Sequence, residues 1–322
     1  MTSLLDLDLV FVTGKGGVGK TTVAAAVAEV AAASGRRTLV CEMDAKGALA
    51  TAFEVGELTF EPDEVAPGLH AMAMSTEESL REYLRLFVKI PLLARIGPLA
   101  STFDFVADAA PGVKEILAVG KLAHEVRERR YDLVVVDAEA TGHVISQIAA
   151  PRVIADLIKV GLVREQTRWM LEILEDPTRT GVVVTTTPEE MPVIETIELL
   201  ERLRRDTGTA PTAVVANRVL PAVYNRAELT IVERLDEVVD DLVEIGGPGA
   251  VGVVDAATIV ERRRSAGAVH LDRLRRHLAD DGLPMYTVAE LFARAHGRRV
   301  VSQVAEQLAD ELGVDRPGAT ES

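Results

Sequence analysis

Residues 12–22 read VTGKGGVGKTT, with four glycines and two lysines in eleven positions. Gly14, Gly19, Lys20 and Thr21 meet the spacing G-x-x-x-x-G-K-[ST]. Such a loop wraps an anion because glycine lets the backbone turn with its N–H groups pointing inward. A helix opening at Lys20 adds the positive end of its dipole. In that arrangement Lys20 reaches the β- and γ-phosphates of a nucleotide, and the Thr21 hydroxyl coordinates magnesium. Lys15, Gly16, Gly17, Val18 and Thr22 fill out the cradle. One lysine would suffice for it, so Lys15 is the residue that needs a reason.

Polar residues at the ends of apolar runs supply the remaining chemistry. YDLVVVDAEATGH ends a buried run at Asp137, the expected place for an acid that contacts magnesium directly or through water. TLVCEMDAKG delivers Asp44 just past a second run, where a carboxylate could orient or deprotonate an attacking water. TAVVANRVLP places Asn217 at a third. Its amide pairs one donor with one acceptor, matching adenine N6 and N7, although a turn-forming asparagine explains the position equally well. The single cysteine, Cys41, sits inside an apolar run and reads as a buried strand residue; no disulfide or Cys–Cys metal spacing is available.

Positioning these groups requires alternating strands and helices. Apolar, β-branched runs predict strands at 7–13, 38–43, 69–74, 132–137, 181–186, 212–217 and 283–287. Helical patterns lie at 20–34, 77–89, 113–129, 190–206, 226–242 and 297–312, the 77–89 segment opening on a capping box at Ser75–Glu78. The alternation implies an α/β fold, a twisted and mostly parallel sheet with helices on both faces. Ligands then bind beyond the carboxyl ends of the strands. Two stretches fit poorly: 84–108, apolar and broken by Pro91 and Pro98, and 154–177, helical with long apolar content. Either is ordinary core or an exposed docking surface. The polar end from about Val314 reads as a disordered tail (314–322) after a single domain spanning 1–313.

Composition narrows the function classes. Hydrophobic residues make up 48% of 322, enough for a large core, and 50 acids against 35 bases give a net charge of −15. That field disfavours sequence-independent binding to nucleic acid or anionic lipid. The arginine clusters at 127–130, 262–264 and 273–276 are interleaved with acids or helical spacing and read as solvated helix faces. The first residues, MTSLLDLD, lack a signal-peptide pattern, and no 18-residue uncharged run occurs. A cytoplasmic protein without a spanning helix is expected.

GKGGVGKTT resembles the deviant phosphate loop, with its extra lysine, of the family holding partition, septum-site and nitrogenase-iron-protein ATPases. Within that family the chain is similar to the arsenite-pump ATPase ArsA and to the ATPase that targets tail-anchored membrane proteins. DAKGALATAF (Asp44–Phe53) resembles their first switch and DAEATGH their second, matching at Asp137, Thr141, Gly142 and His143. PGVKE (Pro111–Glu115) resembles a segment preceding the acid-bearing strand, and VVANR the adenine-contacting strand end. The match spans roughly residues 7–310 and is closest to short bacterial ArsA-like ATPases. It implies a P-loop NTPase fold with a helical subdomain, whose partner-binding elements fall near 76–130 and 152–178. Implied with it are ATP and Mg2+ as cofactors, Asp44 as the water-orienting residue, Lys20 as the cis lysine and Lys15 as a lysine reaching the phosphates of an opposing subunit. With one phosphate loop in the chain, the opposing half comes from a homodimer or from a heterodimer with a paralogous ATPase. The function implied is a dimeric ATP-hydrolysing switch that handles a protein client or membrane partner.

The switches depart from the family pattern. Lys46, Gly47 and Ala48 follow Asp44 where Pro-Ala-His-Asn is usual, and Glu139–Ala140 stand in place of Ala-Pro. An acid near the γ-phosphate would repel it unless turned away, so slow or partner-stimulated hydrolysis is expected. The zinc-binding and arsenite-binding cysteines of the relatives are missing. Two alternatives are a positioning ATPase of the partition or septum-site kind and a metabolic phosphotransferase with the same loop. The first needs a basic patch or basic terminal helix, and the last helical segment is acidic.

Overall fold

The computed structural model describes residues 3–44, 46–83, 112–157, 160–292 and 296–315. Eight strands form one sheet: β1 (Leu9–Gly14), β2 (Thr38–Glu42), β3 (Asp63–Ala66), β4 (Leu69–Ala73), β5 (Leu133–Asp137), β6 (Thr180–Thr186), β7 (Pro211–Val219) and β8 (Met285–Ala289). Their spatial order is β3-β4-β2-β5-β1-β6-β7-β8. All neighbours are parallel except β3, which pairs antiparallel with β4 at one edge. β3 escapes the sequence because it is four residues long, partly exposed and without an apolar alternation.

Strand periodicity explains the two-sided core. Val10 and Val12 of β1, Val40 of β2, Val135 of β5 and Val183 of β6 point to one face. Leu9, Phe11, Leu39, Val134, Val136, Val182 and Val184 point to the other. The first face is covered by α1 (Lys20–Ala33), α2 (Ala48–Phe53) and the final helix, Arg298–Leu312. Alanines at 24, 25, 26, 28 and 31 are fully buried there, so α1 lies close on the strands that hold the loop. The second face takes α4 (Val113–Arg127), α5 (Thr141–Leu157), α6 (Leu162–Leu174) and α7 (Glu190–Asp206), with α3 (Thr76–Tyr83) packed on α4.

Several sequence expectations need correction. The helix expected at 226–242 is broken into α8 (Arg226–Val232), a 3-10 turn at Leu235–Glu237 and α9 (Val239–Gly246). A 33-residue helix, α10 (Gly249–Asp281), follows; the arginine clusters at 262–264 and 273–276 lie on it as the expected helix faces, but its bounds and length were not expected. Its first half is rich in Gly, Ala and Val without an amphipathic stripe, and only Val254, Gly267, Leu271, Leu274 and Leu278 are buried along it. Gly267 meets the β6–α7 connection, where an added Cβ would lie 3.0 Å from Pro188 Cβ. α5, a helix outside the expected set, runs through Pro151. The final helix, α11 (Arg298–Leu312), does not release the chain at Val314, which packs on the core and donates its N–H to the Ala309 carbonyl. The 84–108 segment, Pro111 and residues 316–322 lie outside the described residues.

Candidate active site

Strand register sets the geometry. Val12 of β1 and Glu42 of β2 both stand level with Asp137 of β5. The loop after β1, the turn after β2 and the loop after β5 therefore leave the sheet side by side. Gly14 passes against β6 with φ +146°, and a Cβ there would sit 2.1 Å from the Thr185 carbonyl oxygen, so only glycine fits. Gly19, also left-handed, hands the loop over to α1 at Lys20.

Thr21 and Asp137, 116 residues apart, meet here: the Thr21 hydroxyl donates to Asp137 Oδ2 at 2.6 Å. Asp137 is buried, and its Oδ1 has no hydrogen-bond partner among the described residues. Burial pushes its carboxyl up to about 6, against opposing pulls from the Thr21 hydroxyl and the Lys20 charge. Burial also lowers Lys20, whose ammonium gains attraction from Asp137 and Asp44 and repulsion from Lys46. Lys20 Nζ lies 3.4 Å from the Lys15 carbonyl oxygen, curled over its own loop. A buried carboxylate oxygen without a partner, beside a hydroxyl and a phosphate cradle, is a fitting position for Mg2+, which takes few protein ligands and keeps phosphate oxygens and water. Among the described residues no cluster of three or more His, Cys, Asp or Glu could hold a metal by itself.

The first switch is tied down by a residue that sequence reading passes over. Buried Glu42 accepts the backbone N–H groups of Lys46, Ala48 and Leu49 at 2.9–3.2 Å. It thereby fixes the turn that carries Asp44 and caps the start of α2. Asp44 forms an ion pair with Lys46, the residue that departs from the family pattern. Glu139, the departing acid of the second switch, is turned away: Oε1 accepts from Gln147 Nε2 at 2.9 Å, and Oε2 lies 3.5 Å from His143 Nδ1. The Thr13 hydroxyl donates to the Glu139 carbonyl oxygen and anchors that loop to β1.

The Lys15 side chain leaves the loop for α7. Its Nζ pairs with Glu195 Oε1 on α7 at 2.5 Å, both side chains about one-third exposed. Asn217 donates from Nδ2 to the Val18 carbonyl oxygen at 2.8 Å and accepts the Arg218 N–H at 2.9 Å. A register shift between Ala216 and Val219, with Arg218 at φ 56°, aims Asn217 at the loop. Together these two bonds use half of the amide's capacity, leaving one N–H and one lone pair. Beside it opens a cleft of about 910 Å3, lined by Arg218, Leu220, Pro221, Glu189, Arg263 and Phe292. Glu42, Glu195 and Phe292 carry no motif: Glu195 meets Lys15 across 180 residues, while Glu42 binds backbone N–H groups four to seven residues on, which no side-chain pattern marks.

Residues 7–167 and 159–240 match the sequence profile of the anion-transporting ATPase family. The ATPase BagA of Mycobacterium tuberculosis (strain H37Rv) is 32% identical over 230 residues, covering 68% of this chain and 67% of that protein. The arsenical pump-driving ATPase of Acidiphilium multivorum is 29% identical over 232 residues, covering 66% of this chain and 39% of that longer protein. An ATPase from Aquifex aeolicus with a pump-driving name is 27% identical over 243 residues, 66% of this chain and 80% of that protein.

Proposed function

The chain belongs to the anion-transporting ATPase family, and from that premise we propose that it hydrolyses ATP as a magnesium-dependent dimeric switch coupled to a protein client or membrane partner. The observation that carries this reading is the junction of Thr21 with the buried, half-unpartnered Asp137 at the foot of a glycine-built loop. In this reading Gly14–Thr22 hold the phosphates, and Thr21 with Asp137 hold the magnesium. Bound there, the ion neutralises charge on the phosphate oxygens. Asp44 orients the attacking water once it is released from Lys46. The nucleotide base occupies the cleft beside Asn217, with Phe292 as a stacking surface.

Lys15 gives the dimer its reason. Lys20 already serves the cis phosphates, and a lysine freed from Glu195 reaches the phosphates across an interface, as an arginine finger does. Anion transport through thiolates is not part of this reading. Cys41, the one cysteine in 322 residues, is fully buried in β2, and burial pushes its thiol up. No helix among the described residues is long and apolar enough to cross a membrane.

Mixing two inactive variants tests the dimer. Lys15→Ala and Asp44→Asn chains should each lose turnover while retaining ATP binding. If Lys15 acts in trans, a mixed dimer has one site with its own Asp44 and the partner's Lys15 intact, and partial turnover returns. If Lys15 acts in cis, every site keeps one defect and none returns, which would overturn the proposal. Absence of ATP binding by the wild-type chain would overturn the nucleotide site itself.

A further inference from the structure

Beyond the nucleotide site, α8, the 3-10 turn, α9 and the first turns of α10 enclose an apolar groove of about 930 Å3. Ile231, Ile245 and Val253 line it and stay 64%, 86% and 70% exposed, with Leu235, Leu242 and Val254 deeper in its floor. Aliphatic residues exposed together, rather than singly, mark a surface that another molecule covers. The charges around them are one-sided. Residues 223–257 hold eight acids and two arginines, and no lysine. Asp240, Asp241 and Glu244 stand exposed on α9, and Glu228 reaches the groove itself.

This charge selects the occupant. A second copy docking symmetrically would set the acids of one chain against those of the other. An anionic lipid surface would be repelled as well. An apolar groove set in so acidic a segment, with Glu228 on its lining, fits a helix with an apolar stripe at i, i+3, i+4 and i+7 and lysines or arginines along its margins. We propose that this groove docks such a basic amphipathic helix, presented by a protein partner. The proposal deepens the client-handling reading by naming the partner's recognition element, and it rests on that reading for its purpose; the docking itself needs no turnover.

A labelled synthetic helix of about 14 residues, built from leucine and lysine in that stripe pattern, is the probe, with a leucine–glutamate peptide as its counterpart. The full chain should bind the leucine–lysine peptide and not the leucine–glutamate one. Ile245→Asp with Val253→Asp should weaken binding by about tenfold or more while ATP turnover persists, since both positions are exposed. Asp240→Lys with Asp241→Lys should weaken it by about fivefold or more. Glu61→Lys with Asp63→Lys makes the same charge change beside β3, at the opposite edge of the sheet, and should leave binding unchanged. The Lys20→Ala chain should bind the peptide like wild type, so failure of the ATPase reading leaves this test standing. Equal weakening by both charge reversals would show attraction to the acidic chain at large and overturn the proposal. Unchanged binding in the Ile245→Asp/Val253→Asp chain would overturn it too. So would loss of ATP-driven self-association in that chain, or co-sedimentation of wild type with phosphatidylglycerol vesicles that this variant abolishes.

Discussion

At the buried end of β5, Asp137 has a carboxyl pushed up to about 6 from an ordinary 3.8 because burial disfavours its charge. A folded-state carboxyl raised above its unfolded value penalises the folded chain once it ionises. The penalty is absent below about pH 4, grows as pH rises, and is complete above about pH 6. In the absence of nucleotide and metal it amounts to at most about 3 kcal/mol at neutral pH. Asp137→Asn should therefore raise the melting temperature of the nucleotide-free protein at pH 7.5 and change it little at pH 4.5, while abolishing magnesium-dependent ATP binding. Thermal melts at both pH values, with and without Mg-ATP, check this. A variant less stable than wild type at pH 7.5 would contradict the assigned burial cost. At the neighbouring switch, Lys46→Ala frees Asp44 from its exposed pair. Because surface pairs hold little energy, turnover should rise by no more than about fivefold, measured as kcat at saturating ATP.

Among the elements, the loop between β1 and α1 depends on backbone that no side chain can replace. Gly14→Ala would drive a Cβ to 2.1 Å from the Thr185 carbonyl oxygen at a φ of +146°. The expected cost is on the order of 3 kcal/mol, seen as a melting temperature lower by roughly 5–10 °C, together with loss of ATP binding. Gly16→Ala is the control, because nothing lies within 4 Å of its added Cβ and its melting temperature should stay within about 1 °C. The turn after β2 depends instead on one carboxylate. Glu42→Ala leaves three backbone N–H groups without their acceptor. At about 1–3 kcal/mol for a lost charged hydrogen-bond network, it should loosen Asp44 and lower kcat more than KM for ATP.

For the molecule as a whole, the proposed trans role of Lys15 turns on one contact. Lys15 is held to Glu195 within its own chain, and a lysine that serves a facing site has to leave it. The pair is partly exposed and worth about 0.5–1 kcal/mol. Glu195→Gln should then tighten ATP-dependent self-association about two- to fivefold, read by sedimentation velocity across a concentration series. Unchanged association in that variant would argue that Lys15 remains in cis.

The α/β fold, the glycine loop after β1 and the acid at the end of β5 were all legible in the sequence. Each is local: a strand announces itself by apolar β-branched runs, a glycine loop by spacing, and a strand-end acid by the run it terminates. The seven expected strands lie within three residues of where the structure has them. Tertiary structure alone decided the rest. It put Thr21 on Asp137, Glu42 under the first switch, Glu139 against Gln147, and Lys15 on Glu195, contacts that register and helix packing impose across as many as 180 residues. It also decided that Asn217 braces the loop at Val18, a role set by a bulge in β7 that its sequence does not mark. The break of 226–242 and the first half of α10 were equally hidden, because helices that bury little surface leave no periodic stripe to read.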